Sequence, residues 1–188
     1  MALPEGDNAS GNTYTAPGST EGSGAYLKCL YTSAHSMRNK QDELEALVHS
    51  QSHVVIGISE TWWNVSHDWS AGMEGYRLVR RDRQGGRGGG VALYVRERFD
   101  CTALTVSSDV VESLCVRIRG MENKADVIVG VYCRSLSQDD STDKLFYRQL
   151  GEISGSVALL LMGDFNFPDI NWEYCDKQVL EILDVCRR

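Results

Sequence analysis

An α/β or α+β sandwich, with sheets and helices stacked in layers, is the fold class this sequence predicts. Three observations lead there. Two short, continuous apolar runs, His-Val-Val-Ile-Gly-Ile-Ser at 53–59 and Ser-Val-Ala-Leu-Leu-Leu-Met at 156–162, read as strands buried on both faces. Helical apolar periodicity covers Asn39–Ser50 and Asp140–Ile153, just ahead of each run. Between them lie several short segments rich in Val, Ile, Leu and Tyr, and many strands broken by few helices pack as layers.

Residues 1–24 hold five glycines, two prolines and almost no large apolar side chains, too little burial to offset the entropy of ordering, so a flexible leader is expected there. A single domain is expected over 25–188, opening with a strand at 26–31 (Tyr-Leu-Lys-Cys-Leu-Tyr). The helix at Asn39–Ser50 places Leu44, Leu47 and Val48 on one face. After the 53–59 strand, further strands are predicted at 76–80, 90–95, 101–106, 110–118 and 125–132. Leu145, Phe146, Leu150 and Ile153 form the stripe of the second helix; strand 156–162 runs into Gly163, and a last helix is predicted over Lys177–Arg188.

With 188 residues, 42% hydrophobic and 24% charged, the chain can bury one real core and has no room for a second full domain. A formal charge of −7 excludes a globally basic nucleic-acid binder, so any DNA contact must come from a local patch. The six cysteines, Cys29, Cys101, Cys115, Cys133, Cys175 and Cys186, are scattered without zinc spacing and read as reduced, buried thiols. No apolar run reaches membrane-spanning length, and no secretion signal is recognisable at the start, so a nuclear or cytoplasmic protein is expected, with the Asn8 and Asn64 sequons unused.

Both apolar runs end in polar residues: Ser59 leads into Glu60, and Met162 into Gly163-Asp164-Phe165-Asn166. Phosphodiester hydrolysis needs a hard cation, an oriented water and donors facing the phosphoryl oxygens. Glu60 suits the cation, because Mg²⁺ prefers one or two carboxylates and keeps much of its water. Asp164 and Asn166 share a side while the backbone stays extended, so one can orient water while the other donates to phosphate. A carboxylate after a strand also serves as a turn former or helix cap, and either reading fits each residue taken alone.

Together, Ser59-Glu60-Thr61-Trp62-Trp63, Arg80-Arg81-Asp82-Arg83 before Gly88-Gly89-Gly90-Val91-Ala92-Leu93-Tyr94, and Gly163-Asp164-Phe165-Asn166-Phe167-Pro168 resemble the endonuclease domain of non-LTR (LINE) retrotransposons, in particular the chicken-repeat type. The resemblance spans residues 26–188. It implies the endonuclease/exonuclease/phosphatase fold, a four-layered sandwich of two mixed sheets flanked by helices. It also implies DNA as substrate and a nick, dependent on Mg²⁺ with Mn²⁺ as the alternative, that exposes a 3′ hydroxyl for reverse transcription. By matching motif, Glu60 is the metal ligand, Asp164 positions or deprotonates water, and Asn166 steadies the phosphate.

The sequence departs from that pattern in several places. Ser33 stands where the family has Asn, and His35 where it has Arg. Cys133 replaces a phosphate-binding tyrosine, and Tyr132 beside it is a poor substitute because neighbouring strand residues face opposite ways. The family's last motif, Ser-Asp-His, would fall beyond Arg188, so a sandwich incomplete at its C-terminal end and activity near background are expected.

Smaller signals divide between two readings. Arg80, Arg81, Arg83 and Arg87 lie in a glycine-rich stretch that either follows a DNA backbone or is a solvated hairpin, and Arg134 is a further candidate DNA contact. Trp62, Trp63 and Trp69 are expected to pack more than to stack on bases. His67 with Asp68 lacks a third ligand, and His35, His49 and His53 are expected at the surface or flanking strands. Glu112 either faces the site side of its sheet or simply follows strand alternation.

Overall fold

The computed structural model describes residues 27–67, 70–83, 88–105, 110–120, 124–155 and 157–167. The expected leader, the helix at 177–188, Asp68, Trp69, Arg87, Pro168, Cys175 and Cys186 lie outside them.

Two four-stranded mixed sheets form the body. The first has the order β1-β2-β4-β3, from β1 (Cys29–Ser33), β2 (Val55–Ser59), β3 (Tyr76–Arg81) and β4 (Val91–Arg96). The second has the order β5-β6-β7-β8, from β5 (Cys101–Leu104), β6 (Ser113–Ile118), β7 (Val127–Cys133) and β8 (Ala158–Asp164). Each sheet carries a parallel pair at one edge, β1 with β2 and β7 with β8, and antiparallel pairs elsewhere. A parallel pair needs a crossover. Helix α1 (Gln41–Gln51) supplies the first and α2 (Asp140–Ser154) the second.

Strand alternation sorts the apolar residues into three cores, which makes the body four layers deep. Val55, Val91, Leu93 and Val95 from one sheet meet Leu114, Val116, Val129 and Val131 from the other. On the outer face of the first sheet, Leu44 and Val48 of α1 pack on Ile56, Ile58, Ala92 and Tyr94. On the outer face of the second, Phe146 and Leu150 of α2 pack on Tyr132, with Leu159 and Leu161 beside them. The predicted fold class holds.

Several elements differ from expectation at their ends. Strand one begins at Cys29 and runs on through Ser33, and β8 runs on through Asp164. Gly163 does not stop β8: its φ of 150° and the Tyr132 carbonyl standing where a Cβ would go show a close strand contact that needs glycine. Leu47 was expected on the buried face of α1, yet it is 37% exposed while Leu44 and Val48 are buried. His53 was expected at the surface or flanking a strand; it flanks β2 and is fully buried.

Candidate active site

The site grows from strand parity. Along the four parallel-pair strands the inward-facing residues turn from apolar to polar toward the C-terminal ends: Cys29, Tyr31, Ser33 on β1, Val55, Gly57, Ser59 on β2, Val129, Val131, Cys133 on β7, and Met162, Asp164 on β8. Register aligns Ser33 with Ser59 and Cys133 with Asp164. The last inward side chains of both sheets therefore meet at one end of the sandwich, where the dry core opens.

Asp164 is held across the sheets. Its Oδ2 accepts from Ser33 Oγ at 3.0 Å and Ser59 Oγ at 3.1 Å, and Ser59 also shares a hydrogen with the Tyr31 hydroxyl at 2.7 Å. Glu60 follows Ser59 with φ 55°, a left-handed conformation that costs a non-glycine residue energy and recurs at functional sites. Glu60 Oε2 accepts from Trp62 Nε1 at 2.7 Å and from the Gly89 N–H at 3.0 Å, and Oε1 from the Cys133 thiol at 3.5 Å. Burial pushes the Glu60 carboxyl up, but the donors Trp62, Gly89 and Cys133 and the charge of Arg83 outweigh it and hold it below its ordinary value. Burial first, then the charges of Glu112, Glu60 and Asp164, drive the Cys133 thiol far above its ordinary value, so it stays protonated and acts as a donor.

Glu112, left open by the sequence, faces the site: one oxygen of its carboxylate, one of Glu60 and the Cys133 sulfur lie within 4.8 Å of one another. Gly89 and Gly90, both with positive φ, turn consecutive amides onto Glu60 and Glu112. Asn166 (φ 37°) donates from Nδ2 to the Arg134 carbonyl at 2.9 Å, and Arg134 returns a bond from NH1 to the Asn166 carbonyl at 2.7 Å.

Arg134 does not fit the role of a DNA contact. It is 4% exposed, with its guanidinium on the Asp143 carboxylate at 2.8 Å and its backbone N–H on the Asp164 carbonyl at 2.8 Å. It ties the ends of β7 and β8 to the first turn of α2. Arg80 and Arg81 belong to β3 and not to a loop. Arg80 pairs with Asp82 at 3.3 Å above the Trp63 ring, and Arg81 donates to the Ser113 carbonyl at 3.3 Å. Arg83 sits 3.7 Å from Glu112 and is 42% exposed at its side chain. Trp63 is buried as expected, whereas Trp62 is 40% exposed beside Glu60. Tyr132 faces away, stacked on Phe146 with centroids 3.7 Å apart.

Ser59, Tyr31, Gly90 and Asp143 are the participants that sequence reasoning missed. For Ser59 a signal existed, since it is two residues from Gly57 on the inward face of a recognised strand. Asp143 offered none, because its partner is set by how the loop after β7 folds back.

Among protein families, residues 8–184 match the Endonuclease/Exonuclease/phosphatase family. The chain belongs to that family. Solved structures agree on the fold. The endonuclease domain of TRAS1, a telomere-specific non-LTR retrotransposon, matches at TM-score 0.62 and 16% identity over 84% of this chain and 69% of that one. AP endonuclease LMAP from Leishmania major matches at 0.56 and 16% over 72% and 54%, and a mannosyl-6-phosphatase from Bacteroides thetaiotaomicron at 0.53 and 14% over 72% and 60%. The chain thus spans less than two thirds of the last two. At such identities the likeness is one of fold. No curated protein matches the sequence.

Members of the family generally use a divalent cation, and the donors present fit one of the hard kind. The Glu60 carboxyl is held below its ordinary value and lies with Glu112 within 4.8 Å, an oxygen donor set that suits a hard cation, whereas the protonated Cys133 sulfur is a poor ligand for Mg²⁺.

Proposed function

We propose that this chain is a DNA endonuclease module of the non-LTR retrotransposon type, hydrolysing a phosphodiester with Mg²⁺, and that its turnover is weak. The observation that carries the reading is that both parallel strand pairs end together: Ser59 donates to Asp164 across the sheets at 3.1 Å, Glu60 follows Ser59 in the chain, and Cys133, in register with Asp164, donates to Glu60 at 3.5 Å. Glu60 would hold the cation, which when bound supplies charge neutralisation at the attacked phosphate. The Ser33 and Ser59 hydroxyls both donate to Oδ2 of the Asp164 carboxylate, so Oδ1 would take the proton of an attacking water. Asn166 has one amide hydrogen committed to the Arg134 carbonyl and one left to donate to a phosphoryl oxygen. The Arg134–Asp143 pair holds that turn in place.

Weakness follows from two positions. The Ser33 hydroxyl is spent on Asp164, where an asparagine amide would offer a second polar group. Cys133 turns its proton to Glu60 and offers a phosphate no strong donor. These same two features favour a second reading, a DNA-binding module that has lost turnover.

Supercoiled plasmid incubated with the protein and Mg²⁺ separates them. Slow nicking that disappears in Asp164→Ala supports the endonuclease. Salt-sensitive DNA retention with no nicking supports the binding module. Neither nicking nor retention overturns both.

A further inference from the structure

Resting on the cation-dependent reading above, we propose that Glu112 is the second carboxylate of the cation site and that Arg83 is the side chain a cation displaces there. Glu112 stands just before β6, and its carbonyl accepts the Cys133 N–H at 2.9 Å, so its position is set by the pairing of β6 with β7. Its side chain is 13% exposed and points at the ligand oxygen that Glu60 brings from the opposite sheet.

Cation–oxygen distances of about 2.1 Å span two oxygens up to about 4 Å apart, close to the observed limit of 4.8 Å, so a small side-chain rotation brings both carboxylates onto one ion. Two carboxylates this near repel each other, and the repulsion is relieved by positive charge between them. In the structure that charge comes from Arg83, whose guanidinium lies 3.7 Å from Glu112 and lowers the charging cost of Glu60 as well. At 42% exposure, Arg83 is an arm that swings into water without disturbing the core.

Glu112 also accepts the Gly90 N–H. A purely structural role would end there, and a glutamine would fill it equally well. The charge of Glu112 is what a cation would use. Glu112→Gln keeps an acceptor for Gly90 and removes that charge.

Mn²⁺ binding, followed by the paramagnetic resonance of the free ion, tests this without calling on activity. In the whole chain, one Mn²⁺ site should weaken by about 10-fold or more in Glu60→Gln and in Glu112→Gln alike, and tighten in Arg83→Ala. Wild-type affinity in Glu112→Gln alongside a weakened Glu60→Gln overturns the role of Glu112 and leaves the cation reading standing. Absence of any Mn²⁺ site in the wild type overturns the cation reading and this inference with it. Should Glu112→Gln fail to fold by circular dichroism, Arg83→Ala decides: tighter binding supports displacement, and unchanged binding overturns it.

Discussion

Position 133 places a thiol among three carboxylates, and in the endonuclease reading proposed above a phosphoryl oxygen there would need a strong donor. Burial and those charges keep the proton on sulfur and turn it to Glu60, so replacing the residue changes both the donor and its direction. Cys133→Tyr combined with Ser33→Asn should raise plasmid nicking by about 10²-fold, the range associated with one well-placed donor in a transition state. Rates are compared with the wild type and with the same double variant carrying Asp164→Ala; an unchanged rate would place the phosphate elsewhere. At this scale Glu60, Asp164 and Asn166 could be nominated because each stands at or just past the end of an apolar run; β2 is buried as expected, whereas β8, expected to be buried on both faces, is a part-exposed edge strand that ends at Asp164 itself. Arg134 was misread, since a charge suggests the surface unless its buried partner is known, and Asp143 becomes a partner only through the fold.

Among the elements, α2 does most to join structure to site. Asp139 caps it, accepting the Thr142 N–H at 2.8 Å, and Asp143 in its first turn holds Arg134. Phe146 seats it on the second sheet through the stacked Tyr132 ring. Phe146→Ala should cost about 3–5 kcal/mol in denaturant unfolding, because the site is buried and a ring-sized cavity beneath Tyr132 has little means to collapse. A loss below about 1 kcal/mol would mean that α2 is anchored chiefly by its ion pair. Both helices could be read from their apolar period, and the central strands from short runs rich in β-branched and aromatic residues. Ends were less legible. The capping chemistry of Asp139 is local, but the halt of β7 at Cys133 and the continuation of β8 past Gly163 depend on a neighbouring strand.

For the molecule as a whole, the two sheets share a dry centre and one polar end, and stability rests on keeping charge out of the former. His53, just ahead of β2, is fully buried, and among the described residues neither ring nitrogen has a partner. Burial, together with the charges of Lys28 and Arg96, lowers its pKa below the ordinary 6.5. The unfolded chain therefore takes up a proton first. Stability from this residue is complete above about pH 6.5 and falls as pH drops below it, by up to about 1.4 kcal/mol per unit until the folded form also protonates. Thermal melts from pH 8 to 5 should show this slope, and His53→Leu should flatten it; an equal slope in both would assign the acid sensitivity elsewhere. Layering and the sandwich class were legible from the alternation of whole segments. How deeply a strand's flank is buried was not, and His53 shows why: a polar residue at the border of an apolar run fits either the surface or a covered flank until the covering layer is known.

The alternation at the end of β7 has one more consequence. Tyr132 and Cys133 differ only in parity, the odd or even place that sends one ring against Phe146 and one thiol into the cleft. Exchanging the two letters, with no change in composition, volume or charge, would turn a phenol toward Glu60 and leave a hole beneath the helix. For such a site, neighbouring order along the chain is a chemical variable of its own: a hydroxyl enters or leaves the cleft when two adjacent residues trade places, while every residue count stays the same.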